Sequence, residues 1–236
     1  MTMPTATADP QFVADFGDQT AIFDPSKVSE TVTVIGCGGI GASILPTLVT
    51  MGFTKFVLWD DDIVVDRNVT TNLIFRPKDL GKFKVDRVKE YLLEYGATSV
   101  EIHKEPFSGQ QQLTGLVISG VDSMKARQMI WQHVANGDVT LYMDGRIGGQ
   151  NATLLALEPF NFDHTEWYEK HWLFDDDKAA PLPCTARTIV YPAVSLGVYM
   201  AAYLAAWSRG EPYPQQTTLG FQGEPYFEVV YIGDNN

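Results

Sequence analysis

The sequence predicts an α/β fold, a mainly parallel, Rossmann-like sheet with helices on both faces and antiparallel strands added by the C-terminal part. Two observations carry this. Short apolar, β-branched runs alternate with stretches of helical apolar spacing, the order expected of strand–helix–strand units. Within that alternation, Val32 to Asp62 runs without a break through strand, glycine turn, helix, second strand and three acidic residues. Val32-Thr33-Val34-Ile35 has the character of a buried parallel strand. Ala42 to Met51 carries Ile44, Leu45, Leu48 and Val49 at helical spacing, and Gly52 is placed to end that helix. Phe53 to Trp59 is the second strand. Asp60 closes it about 20 residues past the glycines, where an acidic residue meets the ribose hydroxyls of a nucleotide.

The chemistry behind this layout is anion binding. Gly36, Gly38, Gly39 and Gly41 let the backbone turn tightly and approach a phosphate chain with no Cβ in the way. The helix that begins there offers unpaired N–H groups and the positive end of its dipole. The bland counterpart is a glycine turn that merely packs a helix on a sheet. The complete strand–turn–helix–strand–Asp context favours a nucleotide unit.

The later elements follow in order. Ile63 to Val65 extends or ends the second strand, and Arg67 to Phe75 reads as a loop. Lys84 to Tyr95 is a helix stopped by Gly96, and Ser99 to Lys104 a third strand. Leu116 to Ser119 is a fourth, ending at Gly120-Val121-Asp122. Ser123 to Asn136 is a helix, Thr140 to Asp144 a fifth strand, and Asn151 to Leu157 a sixth. From about 158 to 188 regular patterning fades, and an irregular crossover loop rich in aromatic and acidic residues is expected. A helix from Ala193 to Trp207 and a hairpin from Phe221 to Tyr231 complete a single domain over 21–236. Residues 1–20 lack periodicity and read as a loose N-terminal arm, which Phe12, Val13, Phe16, Ile22 and Phe23 can dock.

Composition narrows the function classes. A length of 236 residues suffices for one large core. A net charge of −12 argues against nucleic acid as the main partner, because that needs a basic footprint. The two cysteines, Cys37 and Cys184, make neither a disulfide framework nor a four-cysteine zinc site. Ala193 to Trp207 is apolar but short for a membrane span and reads as a core helix. A cytoplasmic protein without membrane partners is expected.

Several motifs together resemble the ThiF/MoeB/HesA family, relatives of the ubiquitin-activating enzymes. They are the loop Gly36 to Gly41, the strand end Asp60-Asp61-Asp62, Asn68, Gly81 with Lys84, and Asp122 with Arg127. The resemblance runs from about residue 20 to 157 and more loosely to the end. It implies a homodimeric adenylyltransferase that uses ATP and Mg²⁺ to activate the C-terminal carboxylate of a ubiquitin-like or sulfur-carrier protein. It makes Lys84 and Asp122 the catalytic pair, with Asp122 holding Mg²⁺ through the nucleotide. Gly36, Gly38, Gly39, Gly41, Asp60, Asp62, Asn68 and Lys84 then form the nucleotide site.

The residues suit that chemistry on their own terms. Expelling pyrophosphate requires charge on the leaving group to be neutralised, and Lys84 is a point charge able to reach it. Asp122 ends a strand where ligands bind in such sheets, and Mg²⁺ takes one or two carboxylates plus phosphate oxygens. Singly, each has a plain alternative: a solvated lysine, a helix-capping aspartate, a turn asparagine.

Three features depart from the family pattern. Thr71 stands where an arginine often follows the loop asparagine, with Arg67 and Arg76 as nearby substitutes. No arginine precedes Arg67 to reach across a dimer. The paired Cys-x-x-Cys zinc motifs are absent, so no zinc is expected. Cys184, in Pro183-Cys184-Thr185, matches the position at which ubiquitin-activating enzymes carry the acyl thioester. Its alternative is a buried structural thiol; Arg187 is near enough in sequence to lower its pKa. Arg146 either contacts an acceptor polypeptide or pairs with one of the many surface carboxylates. Two rival functions stay open: a non-catalytic partner that retains the fold, and an NAD-dependent oxidoreductase, which the glycine loop and Asp60 would serve equally well.

Overall fold

The structure, a computed structural model, describes residues 14–174 and 189–233. Eight strands form one sheet in the order β3-β2-β1-β4-β5-β6-β7-β8. The strands β1 (Val32–Ile35), β2 (Lys55–Trp59), β3 (Ser99–His103), β4 (Thr114–Ser119) and β5 (Asp138–Gly148) pair in parallel. The strands β6 (Asn151–Leu157), β7 (Gln216–Gly220) and β8 (Tyr226–Val230) continue the sheet antiparallel. The parallel half and the antiparallel extension thus follow the predicted division.

Period-two alternation distributes the strand side chains to two cores. Val32, Val34, Leu116, Ile118, Leu141 and Met143 face a large cluster completed by α1 (Gly41–Met51), α3 (Lys84–Glu94) and α6 (Val190–Ser208). Ile35, Val117, Val139 and Tyr142 face a smaller cluster completed by α4 (Met124–Ala135) and α5 (Phe162–Trp172). Helices therefore cover both faces, as an all-parallel half requires. Gly52 ends α1 at φ +104°, its N–H donating to the carbonyls of Leu48 and Val49.

Several segments differ from the sequence expectation. β5 runs on to Gly148 instead of ending at Asp144, and the first strand of the hairpin expected from Phe221 is β7, which ends before that residue. The loop expected over Arg67 to Phe75 holds part of a short helix, α2 (Asp66–Thr70), because Asn68 Oδ1 accepts the Val65 N–H at 2.9 Å and closes its first turn. The irregular stretch expected at 158–188 contains α5. Asn161 caps it by accepting from the N–H groups of Asp163 and His164, and its pattern is faint because only His164 and Tyr168 are buried. The helix α6 is longer than expected, and by length and apolarity it is able to cross a membrane. Here it packs inside the protein: Leu196, Met200 and Leu204 are buried in the core, and a Cβ on Gly197 would lie 2.8 Å from Ser43 O of α1. At the N-terminus, residues 17–19 form a short 3₁₀ turn tied down by Gln19 Nε2 donating to Met51 O at 2.7 Å. Phe12, Val13, Cys184 and Arg187 lie outside the described residues.

Candidate functional site

The order β2-β1-β4 means that the chain leaves β1 toward one side and β4 toward the other, and a crevice opens where they diverge. Its floor is the glycine loop. Gly36 has φ +92°, and a Cβ there would sit 2.8 Å from Gly120 O, so the turns after β1 and β4 touch through glycine backbone. A Cβ on Gly41 would lie 2.1 Å from Gly36 O, which lets α1 start hard against the strand. A Cβ on Gly38, by contrast, would meet nothing within 4 Å. That open space belongs to a cleft of about 440 Å³.

Around the cleft the structure gathers Gly36, Gly38, Gly39, Asp60, Asp62, Asn68, Lys84 and Asp122. Gly41 sits behind the loop as the buried first residue of α1. Asp60 Oδ2 accepts the Cys37 N–H at 2.7 Å and Oδ1 accepts the Asp62 N–H at 2.9 Å, so this carboxylate braces the glycine loop against the end of β2. Burial raises the Asp60 carboxyl above its ordinary pKa, while the Lys84 ammonium and the two N–H donors oppose the rise. Lys84 opens α3 with its side chain 8% exposed, its Nζ 2.5 Å from Asp62 Oδ2 and 3.8 Å from Asp60 Oδ1. It is not a solvated first-turn lysine.

Asp122 is exposed on the cleft wall and makes no hydrogen bond among the described residues. The capping role open to it in sequence falls to Ser123, whose Oγ accepts the Ala126 N–H at 3.3 Å. Arg76 is not brought to the cleft; its N–H is tied to Asp79 Oδ2 and its charge acts on the Tyr91 phenol of α3. Arg67 and Thr71 do line the cleft. Cys37 is fully buried beneath the loop, where burial and Asp60 push its thiol well up. Cys184 lies outside the described residues.

Sequence reasoning passed over two features. An apolar wall of Trp59, Pro106, Phe107 and Ile130 flanks the cleft, with Trp59 stacked on His103 at 3.7 Å and edge-on to Phe107 at 5.4 Å. An aromatic residue at the end of β2 was its only linear signal. The second is a hub around Asp144, fully buried, which pairs with both Arg127 and Arg146 and accepts the Tyr168 hydroxyl at 2.9 Å. Arg127 also donates to Val121 O, next to Asp122, and to Gly145 O. Arg146 pairs with the buried Asp144 and not with a surface carboxylate, because its guanidinium is drawn inward over the rings of Trp172, Phe174 and Tyr168.

A mainly parallel sheet with a glycine-floored crevice at the point where its strand order reverses defines a Rossmann-like fold. The ThiF family pattern matches residues 26–225, and the chain belongs to that family. It is 30% identical over 128 residues to the NEDD8-activating enzyme E1 catalytic subunit of Dictyostelium discoideum, a match covering 52% of this chain and 29% of that protein. It is 37% identical over 73 residues to the adenylyltransferase and sulfurtransferase uba4 of Neosartorya fischeri, covering 31% of this chain and 15% of that protein. The matched regions thus span less than a third of these curated relatives. Among solved structures, the Microcin C7 biosynthetic enzyme MccB in complex with N-formylated MccA superposes with a TM-score of 0.72 at 16% identity, covering 89% of this chain and 68% of that one. PaaA superposes with a TM-score of 0.68 at 16% identity, covering 95% and 78%. These likenesses show the shared fold.

Proposed function

We propose that this protein is an ATP-dependent adenylyltransferase that activates the C-terminal carboxylate of a ubiquitin-like protein, sulfur carrier or peptide. The observation that carries the reading is the convergence of Gly38, Lys84 and Asp122 on one cleft, behind a glycine loop with room for phosphate. The names of the relatives point the same way: NEDD8 and SUMO activation, uba4-type adenylyl transfer, and an MccB captured with ATP.

In this reading the carboxylate oxygen attacks the α-phosphorus, the bond to the bridging oxygen breaks, and pyrophosphate leaves with the negative charge. Backbone N–H groups of the loop and the start of α1 receive the phosphates. Lys84 neutralises the leaving group. Its ion-pair partner Asp62 is 67% exposed, so water takes over that carboxylate when phosphate displaces it. The Trp59–Phe107 wall takes the base. Arg67, which lines the cleft with Thr71, is the better placed of the two arginines to supply the missing cation. Magnesium, entering with the phosphates, fits Asp122, an exposed carboxylate with no hydrogen-bond partner among the described residues. Cys184 then attacks the acyl carbon, AMP leaves, and a thioester forms. We take the protein to act as a cytoplasmic homodimer.

Titration of the full chain with ATP–Mg²⁺ and, separately, NAD⁺ tests the reading. ATP is expected to bind saturably, with binding lost in Lys84→Ala; Asp122→Ala is expected to retain ATP but lose pyrophosphate exchange once an acceptor is supplied. NAD⁺ binding without ATP binding would mean an oxidoreductase. Binding of neither, with Thr71 in the arginine position, would favour the non-catalytic partner. A Cys184→Ser variant that accumulates adenylate without a thioester would fix the last step.

A further inference from the structure

Away from the cleft, at the C-terminal end of α6, a second cavity of about 330 Å³ opens where β6 ends and β7 begins. Three aromatic residues line it: Trp207, Tyr213 and Tyr231, together with Glu158. Glu158 is half-buried, and its Oε1 accepts the Tyr213 hydroxyl at 2.6 Å. Burial, followed by the Glu158 charge, pushes the Tyr213 phenol well above its ordinary range, so it stays a donor.

The charge count around Glu158 is incomplete. His164 lies beside it, but burial lowers that imidazole below its usual pKa, and its Nδ1 accepts the Glu158 N–H at 3.2 Å. It is neutral at pH 7. The other carboxylate of the cavity, Glu211, is already matched by the two-pronged contact of Arg209. No lysine or arginine pairs with Glu158 among the described residues. Among the described residues, one half-buried carboxylate is thus left without a paired cation, in a cavity lined by rings whose faces attract cations.

We propose that this cavity is a binding site for a small organic monocation, an alkylammonium head group held by Glu158 and the rings of Trp207, Tyr213 and Tyr231. A single unmatched carboxylate selects one positive charge. The volume lies at the lower end of small-molecule sites, which suits a compact head rather than a nucleotide. The site is independent of the adenylation reading, and its failure would leave that reading untouched.

Isothermal titration of the full chain with choline, against its neutral carbon isostere 3,3-dimethylbutan-1-ol, tests the charge. Nα-acetyl-trimethyl-lysine carries the same head on an amino-acid side chain. Choline is expected to bind at least ~10-fold more tightly than the alcohol. Preference for the lysine derivative over choline would identify a protein side chain as the source, and the reverse a free small molecule. Glu158→Gln, which still accepts from Tyr213, should weaken choline by about 10-fold. Tyr231→Ala, at a ring 47% exposed and safe for folding, should weaken it by about 3- to 5-fold. Equal binding of choline and the alcohol, no binding of any cation, or full affinity in Glu158→Gln would each overturn the site.

Discussion

Two clusters of buried charge stand at the carboxyl ends of the parallel strands, and each is out of balance by one charge. At the cleft, Lys84 faces two carboxylates, Asp60 and Asp62. At the hub, Asp144 faces two cations, Arg127 and Arg146. The imbalance is resolved differently. The extra cation of the hub is absorbed by the protein: Arg127 donates to the carbonyls of Val121 and Gly145, and Arg146 lies over Trp172 and Phe174. At the cleft, Asp60 is held by two backbone N–H donors, and Asp62, the direct partner of Lys84, is 67% exposed and shares that lysine with water. A network that the protein completes holds structure. One that solvent completes is free to exchange partners, which is what a binding site needs.

The comparison breaks most visibly at Asp144. Asp144→Ala strands two buried guanidinium groups, and a loss of about 3–5 kcal/mol is expected in urea unfolding. A loss below about 1 kcal/mol would show that the hub is not a stability element. Lys84→Ala is the matching cut at the cleft. Asp60 keeps its two N–H donors and Asp62 its water, so the same unfolding experiment should register only about 1 kcal/mol, with ATP binding abolished. Equal destabilisation by the two variants would erase the distinction between the clusters.

The pH dependence sharpens it further. Burial raises the Asp60 carboxyl above 3.8 in the folded chain, so folding takes up a proton between that pH and the folded value. This group's stabilising contribution is complete below pH 3.8 and is lost as pH rises through the folded pKa. The stability difference between the wild type and Asp60→Asn should therefore fall with rising pH across that window and level off above it; a flat difference would remove burial as the controlling force. The smallest change expected in stability is at Gly38, where a Cβ meets open space: Gly38→Ala should melt within about 0.5 kcal/mol of wild type yet bind ATP more weakly, because the methyl occupies the phosphate space. Unchanged affinity would move the phosphates elsewhere.

Much of the parallel half was legible in sequence because each signal there is local. A β-branched run makes a strand, a glycine turn starts a helix, and Gly52 ends it. Lys84 and Asp122 were legible as candidates by position, but not their states. That Lys84 is buried between carboxylates, while Asp122 yields the capping role to Ser123, depends on partners 22 residues away and next door respectively. The helix α5 was missed because its N-cap is a single asparagine and its buried face is only two residues wide.

What the chain determined by itself is the alternation of strands and helices, the glycine-floored turn, and an acidic composition that argues against nucleic acid. Those follow from backbone sterics and side-chain polarity along short stretches. Tertiary structure alone decided which charges meet. Asp144, Arg127 and Arg146 become a hub, Arg67 rather than Arg76 reaches the cleft, and Glu158 is left among three rings because strands distant in sequence are neighbours in the sheet. The strength of each charge then depends on how far the fold removes it from water, and no linear pattern records that distance.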